Sequence, residues 1–472
     1  MTEQEARDIY HQGEEAVVSK FMEFDARLKR LENMINTNST NSSKPPSTDN
    51  KLKKSKKETN SKSKRKRGGQ YGSSSKTLKI VPNPDNIEIL LPTNCSCCNA
   101  SLKGIESLKL ERRQLFDLPD IKIKVSEYQS HTIKCQECRT INKVPFPDTV
   151  NATVQYGENL RSFVSYLNSY QMLPYERIAQ TIEDLTSHKI GMGSIYNFLN
   201  AQYEQLESFE GALKSSLLQE SVLHSDETGV NIKGDLHWIH VTSSPVMTYY
   251  MLHKKRGSVA MDDMGVIPSY SGILVHDHWS PYNRYNCTHS YCNAHLLREL
   301  NGIAEKESVK WSTDMHTLLT NMNIAVHKAK DSDKNHLSLK QIRKFTKMYE
   351  QIIKSAKIYY PPTGEKEKRA RGRPKQEKGK NLLDRLSKYQ DETLRFLNDF
   401  KVPFTNNLAE RDLRMIKVKE KISGSFASFK GGEIFTRIRS YISTLKKNNI
   451  AVLQGLRDAL NGRSFVPIAV RC

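Results

Sequence analysis

Two stretches of this 472-residue chain cannot belong to any hydrophobic core, and they set limits on how the rest can fold. Residues 50 to 67, NKLKKSKKETNSKSKRKR, hold ten Lys or Arg against one Glu, and residues 366 to 380, KEKRARGRPKQEKGK, hold eight against two. Segments so poor in apolar side chains cannot offset the entropy of ordering themselves, so both are expected to stay flexible until an anionic partner orders them. The remaining chain must build its cores in separate stretches, and its length suggests two to four domains. The two windows carry +9 and +6 of a formal net charge of +21, which leaves 21 − 9 − 6 = +6 for everything else. With a pI near 9.4 and a mean hydropathy of −0.64, the chain is expected to seek polyanions.

No run approaches the roughly 18 uncharged apolar residues of a membrane helix, and MTEQEARDIYHQGEEAVV lacks the basic-then-apolar order of a signal peptide. The expected compartment is therefore the cytosol, with no membrane partner. Eight cysteines are too few for a disulfide scaffold, and four of them form two tight pairs, which in a reduced compartment points to metal.

Val17, Val18, Phe21, Phe24, Leu28, Leu31 and Ile35 recur at three- and four-residue steps, predicting an amphipathic helix over 1–36 that pairs or docks. Residues 37–77 read as a basic linker. From 78 to 150, short alternating runs such as IKIKVSEYQSHTIK surround the cysteine pairs and predict a small β module. Residues 151–215 turn helical. PYERIAQTIEDL and SIYNFLNAQYEQL flank the break GMG, with Ser194 as the expected N-cap, and form a helix-turn-helix-like pair suited to DNA. ESVLHSD, LHWIHVTSS and VMTYYMLH then predict a three-strand meander, followed by a crossover and a fourth strand, GILVHD, parallel to the first. That β-β-β-α-β order is the order of a ribonuclease-H-like sheet, whose first part spans 216–300. Residues 301–400 read as a helical insertion holding the second basic loop, and 401–472 as the helical end of the core. The expected fold class is thus multidomain α/β: a ribonuclease-H-like catalytic core with a helical insertion, preceded by an N-terminal helix, a zinc-binding β module and a helical DNA-binding region.

Cys95-x2-Cys98 and Cys135-x2-Cys138 each present two thiolates from one tight turn, and four thiolates complete the closed tetrahedral shell of a structural Zn²⁺. Cys97 lies beside the first pair and competes with its members. Lys64, Arg65, Lys66 and Arg67 close the first basic run and can meet any phosphate backbone. In RGRPK, Arg371 and Arg373 flank a Gly before Pro374, the form of a hook that lays guanidiniums in a narrow A·T-rich minor groove.

Three carboxylates carry the catalytic expectation. Asp226 ends the first predicted strand of the sheet and Asp277 the fourth, so adjacent parallel strands bring both to one sheet end, where they can share a divalent cation. Glu410, one turn into a helix, can approach as a third ligand, although Asn407-x-x-Glu410 also matches a capping box. Hard Mg²⁺ (or Mn²⁺) suits such oxygens and can also hold phosphate. Glu227, His276 and His278 compete by adjacency, and Cys292-x2-His295 has metal-ligand spacing but is incomplete alone. Arg411, Arg414 and Lys417 follow Glu410 at roughly helical spacing and can contact DNA beside it.

The chain resembles the transposases of the insertion-sequence-66 group. The resemblance rests on NSSKPPSTD at 41–49, RKRGGQ at 65–70, the paired cysteines, YLNSYQMLPYERIAQTIEDL at 166–185, LHSDETG at 223–229, CNAHLLREL at 292–300 and PFTNNLAERDLRMIKVK at 403–419. It implies an acidic triad at Asp226, Asp277 and Glu410, a ribonuclease-H-like core, a zinc-finger module, Mg²⁺ dependence and accessory proteins from the same element. YGSSSKT after GGQ, DHWSPY around Asp277 and SGSFASFKGG at 423–432 depart from that group's pattern.

The function expected is that of a transposase that binds terminal inverted repeats, cuts phosphodiesters and transfers strands. Its partner is double-stranded DNA of element ends and target, and cutting two ends calls for a homo-oligomer. A zinc-containing DNA-binding regulator without catalysis, or a structure-specific nuclease of the same fold, are the alternatives.

Overall fold

The computed structural model describes residues 2–36, 78–307, 309–361 and 376–469; Lys64, Arg65, Lys66, Arg67, Arg371 and Arg373 lie outside them. The chain divides into two compact units, one of Met1–Lys53 with Ser126–Cys472 and one of Lys54–Val125.

The expected single N-terminal helix is two. α1 (Glu3–His11) opens on a capping box between Thr2 and Glu5, and α2 (Glu14–Asn36) follows a break at Gly13, whose φ of +102° suits glycine alone. The second unit has little regular structure. Among its described residues, Asn94 bridges Ser101, and the Gln114 side chain bonds both backbone groups of Val81. Its alternating apolar residues do not make a sheet. Ile89 and Leu90 are 75% and 84% exposed, and alternation without a face to cover has nothing to select it. Regular pairing in the expected β module is confined to β1 (Thr132–Lys134) with β2 (Ile141–Lys143), in the larger unit.

The larger unit is mixed α/β around a five-stranded mixed sheet. α3 (Glu158–Ser165) runs on into a π-helical turn at Tyr166–Tyr170, and α4 (Tyr175–Thr186) precedes α5 (Met192–Gln205) and α6 (Glu207–Leu217). α5 begins two residues before the expected Ser194, with Gly191 at its N-cap and no side-chain bond there. β3 (Val222–Ile232) and β4 (Asp235–Ser243) form a hairpin closed by Lys233 and Gly234, both at positive φ, the two-residue turn that matches strand twist. β5 (Thr248–His253) completes the meander. α7 (Ser258–Met264) carries the crossover to β6 (Ile273–His276), which runs parallel to β3, and β7 (Thr288–Tyr291) runs parallel to β6. The order β5-β4-β3-β6-β7 contains the expected meander and parallel return, plus a fifth strand that its polar four-residue sequence, THSY, did not announce.

Alternation along β3 separates two cores. Leu223 packs with Leu274, Tyr249 and α3 to α6 on one face. Val222 joins Val275 on the other face, against α8 (Asn293–Glu307), α9 (Lys310–Lys330), α10 (Leu339–Ala356), α11 (Lys378–Lys388) and α12 (Gln390–Asn398). Farther along that second face Val230 and Ile232 meet Ala409, Leu413 and Ile416 of α13 (Asn407–Ser423). α14 (Phe429–Lys447) and α15 (Val452–Leu460) complete the first core through Ile438, Tyr441, Ile442 and Leu456. Each such buried aliphatic side chain contributes roughly 2 kcal/mol, so both sheet faces are held by packing. No helix of the described residues is long and apolar enough to cross a membrane.

Candidate active site

Asp226 is not at a strand end. β3 continues to Ile232 against β4, but its parallel pairing with β6 stops at His224↔Val275. Two more residues in that register bring Asp226 level with Asp277, the residue after β6. Asp226 has the parity of Val222 and Val230, and Asp277 that of Val275, so both carboxylates belong to the face covered by α8 to α13.

The same parity removes two competitors. Glu227 and His276 belong to the opposite face. There Tyr282 Oη donates to Glu227 Oε2 at 2.8 Å, and Arg256 Nε and Nη2 donate to Oε1 at 2.9 and 2.7 Å. Arg256 itself lies between the rings of Trp238 and Trp279, 4.9 and 4.1 Å from their centroids. Burial and Asp277 raise the Glu227 carboxyl to about 7 in spite of Arg256. With both oxygens engaged, Glu227 is a braced neighbour of the site. His276 stacks on Tyr282 and bonds His289 at 3.0 Å through Nε2; burial lowers it to about 3 and keeps it neutral. His278 is half-buried and likewise held neutral by desolvation and by Arg385, 3.4 Å away.

Asn406 ties the start of the helix that carries Glu410 to the sheet. It is the N-cap of α13 but makes no cap bond with its side chain; instead it reaches the sheet. Neutral His224 donates to Asn406 Oδ1 at 2.9 Å, Asn406 Nδ2 donates to the Ser225 carbonyl at 2.8 Å, and its backbone N–H donates to Cys292 Sγ at 3.1 Å. Burial lowers His224 to about 4, which fixes it as that neutral donor. The Asn407 capping box does not form. α13 is anchored farther along by Tyr250, donating to the Asp412 carbonyl at 2.9 Å, and by Lys447, 2.8 Å from the Asp412 carboxylate. Sequence reasoning passed over Asn406; the only signal was a second Asn where one cap suffices.

The electrostatics reflect the convergence. Burial first, then the charges of Glu227, Asp277 and Glu410, hold the Asp226 carboxyl well above the usual range. Asp277 accepts from the Trp279 N–H at 2.9 Å, which turns the chain away after the strand. Asp226 thus senses the other acids, but among the described residues the oxygens of Asp226, Asp277 and Glu410 do not all lie within 4.8 Å of one another, whereas the ligand atoms of Cys292, His295 and Glu410 do.

Among the basic candidates, Arg411 and Arg414 are exposed on α13, whereas Lys417 is tied inward to the Gly229 carbonyl at 2.5 Å and to Glu420. The cysteine pairs form matching turns, each in its own unit. Cys95 N–H bonds the Ala100 carbonyl at 2.8 Å, Asn99 N–H bonds back to Cys95 at 3.0 Å, and Asn99 has φ +57°. Cys135, Thr140 and Arg139 repeat the arrangement at 2.8 and 3.0 Å with φ +61°. In the first turn the backbone N–H groups of Cys98 and Cys97 lower the Cys95 thiol, and in the second Thr140 lowers the Cys138 thiol to about 7. Cys97 is exposed.

A five-stranded mixed sheet with helices packed on both faces describes an α/β protein. Residues 153–434 match the family described as "Transposase IS66 family", and residues 2–79 match a family of unknown function, DUF6444. The first match covers more than half of the chain, which therefore belongs to the IS66 transposase family, and membership implies an enzyme that cuts DNA. The chain is 22% identical over 437 residues to the uncharacterized protein y4hP of Sinorhizobium fredii, covering 80% of this chain and 73% of that protein. It is 34% identical over 90 residues to the uncharacterized protein y4jO of the same organism, covering 19% of this chain and 28% of that one. Among solved structures it aligns with a chain from the simian T-cell lymphotropic virus intasome in complex with PP2A regulatory subunit B56 gamma, at 11% identity. That alignment covers 45% of this chain and 80% of the other with a TM-score of 0.14, too low to carry an argument.

Proposed function

We propose that this transposase binds the terminal inverted repeats of an insertion sequence as double-stranded DNA, cleaves phosphodiesters there and joins the freed ends to target DNA. Its sheet is read as a ribonuclease-H-like core, on the strand order β5-β4-β3-β6-β7 with β4 antiparallel to its neighbours. Asp226, Asp277 and Glu410 would hold Mg²⁺ or Mn²⁺. Lewis-acid activation of the attacking oxygen and neutralisation of charge at phosphorus are what that cation supplies when bound. In cleavage a water oxygen bonds to phosphorus and the bond to the 3′ oxygen breaks, leaving a 3′-hydroxyl and a 5′-phosphate. In transfer that 3′ oxygen bonds to a target phosphorus and displaces the target's own 3′ oxygen, which takes up a proton. No bond to the protein forms in either step. Arg256, Tyr282 and Asn406 act as positioning residues, through Glu227 on one face and α13 on the other.

Cys95, Cys98, Cys135 and Cys138 are read as ligands of structural Zn²⁺, on their matching turns and on the lowered Cys95 and Cys138 thiols. Lys64, Arg65, Lys66, Arg67, Arg371, Arg373, Arg411 and Arg414 are read as phosphate and groove contacts. A homo-oligomer assembled on two ends, helped by accessory proteins of the same element, would do this work in the cytoplasm.

The observation that carries the reading is the shared face of Asp226 and Asp277, level across the parallel pair, with α13 pinned beside them by Asn406. Asp226→Asn and Asp277→Asn are expected to abolish cleavage of a duplex bearing the element ends while retaining binding to it. Unimpaired strand transfer by either variant refutes the assignment.

A further inference from the structure

Glu410 has a second set of neighbours that the carboxylate site does not use. Cys292 follows β7 and His295 sits in the first turn of α8, a three-residue spacing that puts thiol and imidazole on one side. Glu410 Oε1 lies 4.0 Å from Cys292 Sγ and 3.9 Å from His295 Nδ1, and the three ligand atoms all lie within 4.8 Å of one another. Arg298, 3.9 Å from Oε2, takes the other oxygen's side and leaves Oε1 facing sulfur and nitrogen. Cys292 is fully buried. His295 Nδ1 is buried without a hydrogen-bond partner among the described residues, and an orphaned buried nitrogen calls for an occupant.

We propose that Cys292, His295 and Glu410 form a cation site for a zinc-class divalent ion, one that shares Glu410 with the proposed carboxylate site. Thiol and imidazole favour borderline ions such as Zn²⁺ or Co²⁺, whereas magnesium seeks oxygen. Zinc bond lengths of about 2.3 Å to sulfur and about 2.0–2.2 Å to nitrogen and oxygen place tetrahedral ligands about 3.3–3.6 Å apart. The separations from Glu410 Oε1, 4.0 and 3.9 Å, exceed that range by about 0.3–0.7 Å, and the third pair lies within 4.8 Å, so binding draws all three side chains inward. Three protein ligands leave a fourth position open, as in other three-ligand zinc sites.

The surroundings hold the donors in place. The Asn406 N–H points at Cys292 Sγ, the Cys292 N–H bonds the His276 carbonyl at 2.9 Å, and the Asn293 N–H bonds the Phe404 carbonyl at 3.0 Å. The start of α8 and the entry to α13 are thereby stitched together, and the N–H on sulfur is the outer partner that a thiolate ligand needs. A plain thiol-to-carboxylate bond explains the cluster less well: 4.0 Å is at the outer limit even for sulfur, and it leaves His295 Nδ1 unpaired.

The test is a Co²⁺ titration of the reduced, metal-free full chain, followed by sulfur-to-cobalt and visible absorption. Replacing Cys292 by Ser is expected to remove one equivalent of bound Co²⁺, and His295→Ala to weaken that equivalent at least tenfold. Glu410→Gln, on a half-buried side chain, serves as the third variant should either of the others lose its cooperative thermal transition. Equal Co²⁺ stoichiometry and affinity in the parent chain and in the folded variants overturns the proposal. The readout is binding, so it stands or falls apart from the cleavage assay that judges the three-carboxylate reading.

Discussion

The sheet face that carries Asp226 and the turns that carry the cysteines are the two regions proposed to hold metal, and they are held by different forces. Around Asp226 the framework exists before any cation arrives. Val222, Val275, Val230 and Leu413 are buried, and Asn406 joins β3, Cys292 and α13 through three hydrogen bonds. Around Cys95 a few backbone bonds shape one turn, while nearby apolar side chains such as Ile89 and Leu90 stay exposed. A packed core can hold like charges together against their repulsion, whereas an exposed turn fixes only its own few residues. Metal at the carboxylates would act on chemistry, and metal at the cysteines would act on folding.

Asp226→Asn is the sharpest probe of that contrast. Cleavage is expected to fall by about 10³-fold or more, measured on end-bearing duplex, as when a ligand of the reacting centre is removed. The same change removes a buried charge from a like-charged cluster, so the thermal midpoint should rise by about 2 °C or more. A fall in the midpoint would mean that the framework depends on the acid it holds.

Zinc removal should do the opposite. Chelation is expected to open residues 78–150 to limited proteolysis while the sheet and its helices keep their protection, since structural zinc contributes on the order of 10 kcal/mol to small modules. Identical digestion patterns with and without chelator would erase the contrast.

Asn406→Ala removes the side-chain bonds to His224 and Ser225. A loss of about 2–3 kcal/mol is expected in denaturant unfolding, with kcat falling at least about tenfold at nearly unchanged DNA affinity, because Glu410 is displaced rather than the DNA contacts.

His240 tests the framework through pH. It is buried beside His253 and Arg256, bonds the Lys255 carbonyl at 3.3 Å, and burial lowers it from 6.5 to about 4. The fold therefore favours the neutral ring. The stability this supplies is whole above pH 6.5 and is lost as pH falls toward 4, because the unfolded chain takes up the proton first. His240→Gln should flatten the stability profile between pH 7 and 4 by up to about 3 kcal/mol, read by denaturant unfolding at each pH.

The smallest effect belongs to the exposed arginines. Arg411→Ala with Arg414→Ala should reduce the slope of log affinity against log salt by about 2 without changing stability, as expected for two phosphate contacts on a solvated helix face.

Much of the sheet was legible because its signals are local. The meander and the parallel return follow from apolar strand runs broken by turns, and Asp226 and Asp277 were visible as acids at the edge of such runs. Adjacent residues were harder to separate: Asp226 and Glu227 differ by one position, and only the core that each face meets assigns one to α13 and the other to Arg256 and Tyr282. β7 was missed because THSY, four residues of which three are polar, carries too little pattern. The cysteine region misled in the other direction, since its alternation read as strands where the described residues show mostly extended chain.

By itself, the sequence determined the basic windows, the cysteine turns, the helix and strand periods and the chemical kinds of ligand available, because each depends on neighbours a few residues away. Tertiary structure decided which acid faces which side, that Asn406 serves the sheet rather than its own helix, and that Cys292 and His295 meet an acid more than a hundred positions later. Those outcomes depend on strand register and on helix docking. Register is settled by which face buries its apolar residues, and that is a property of the whole core rather than of any segment in it.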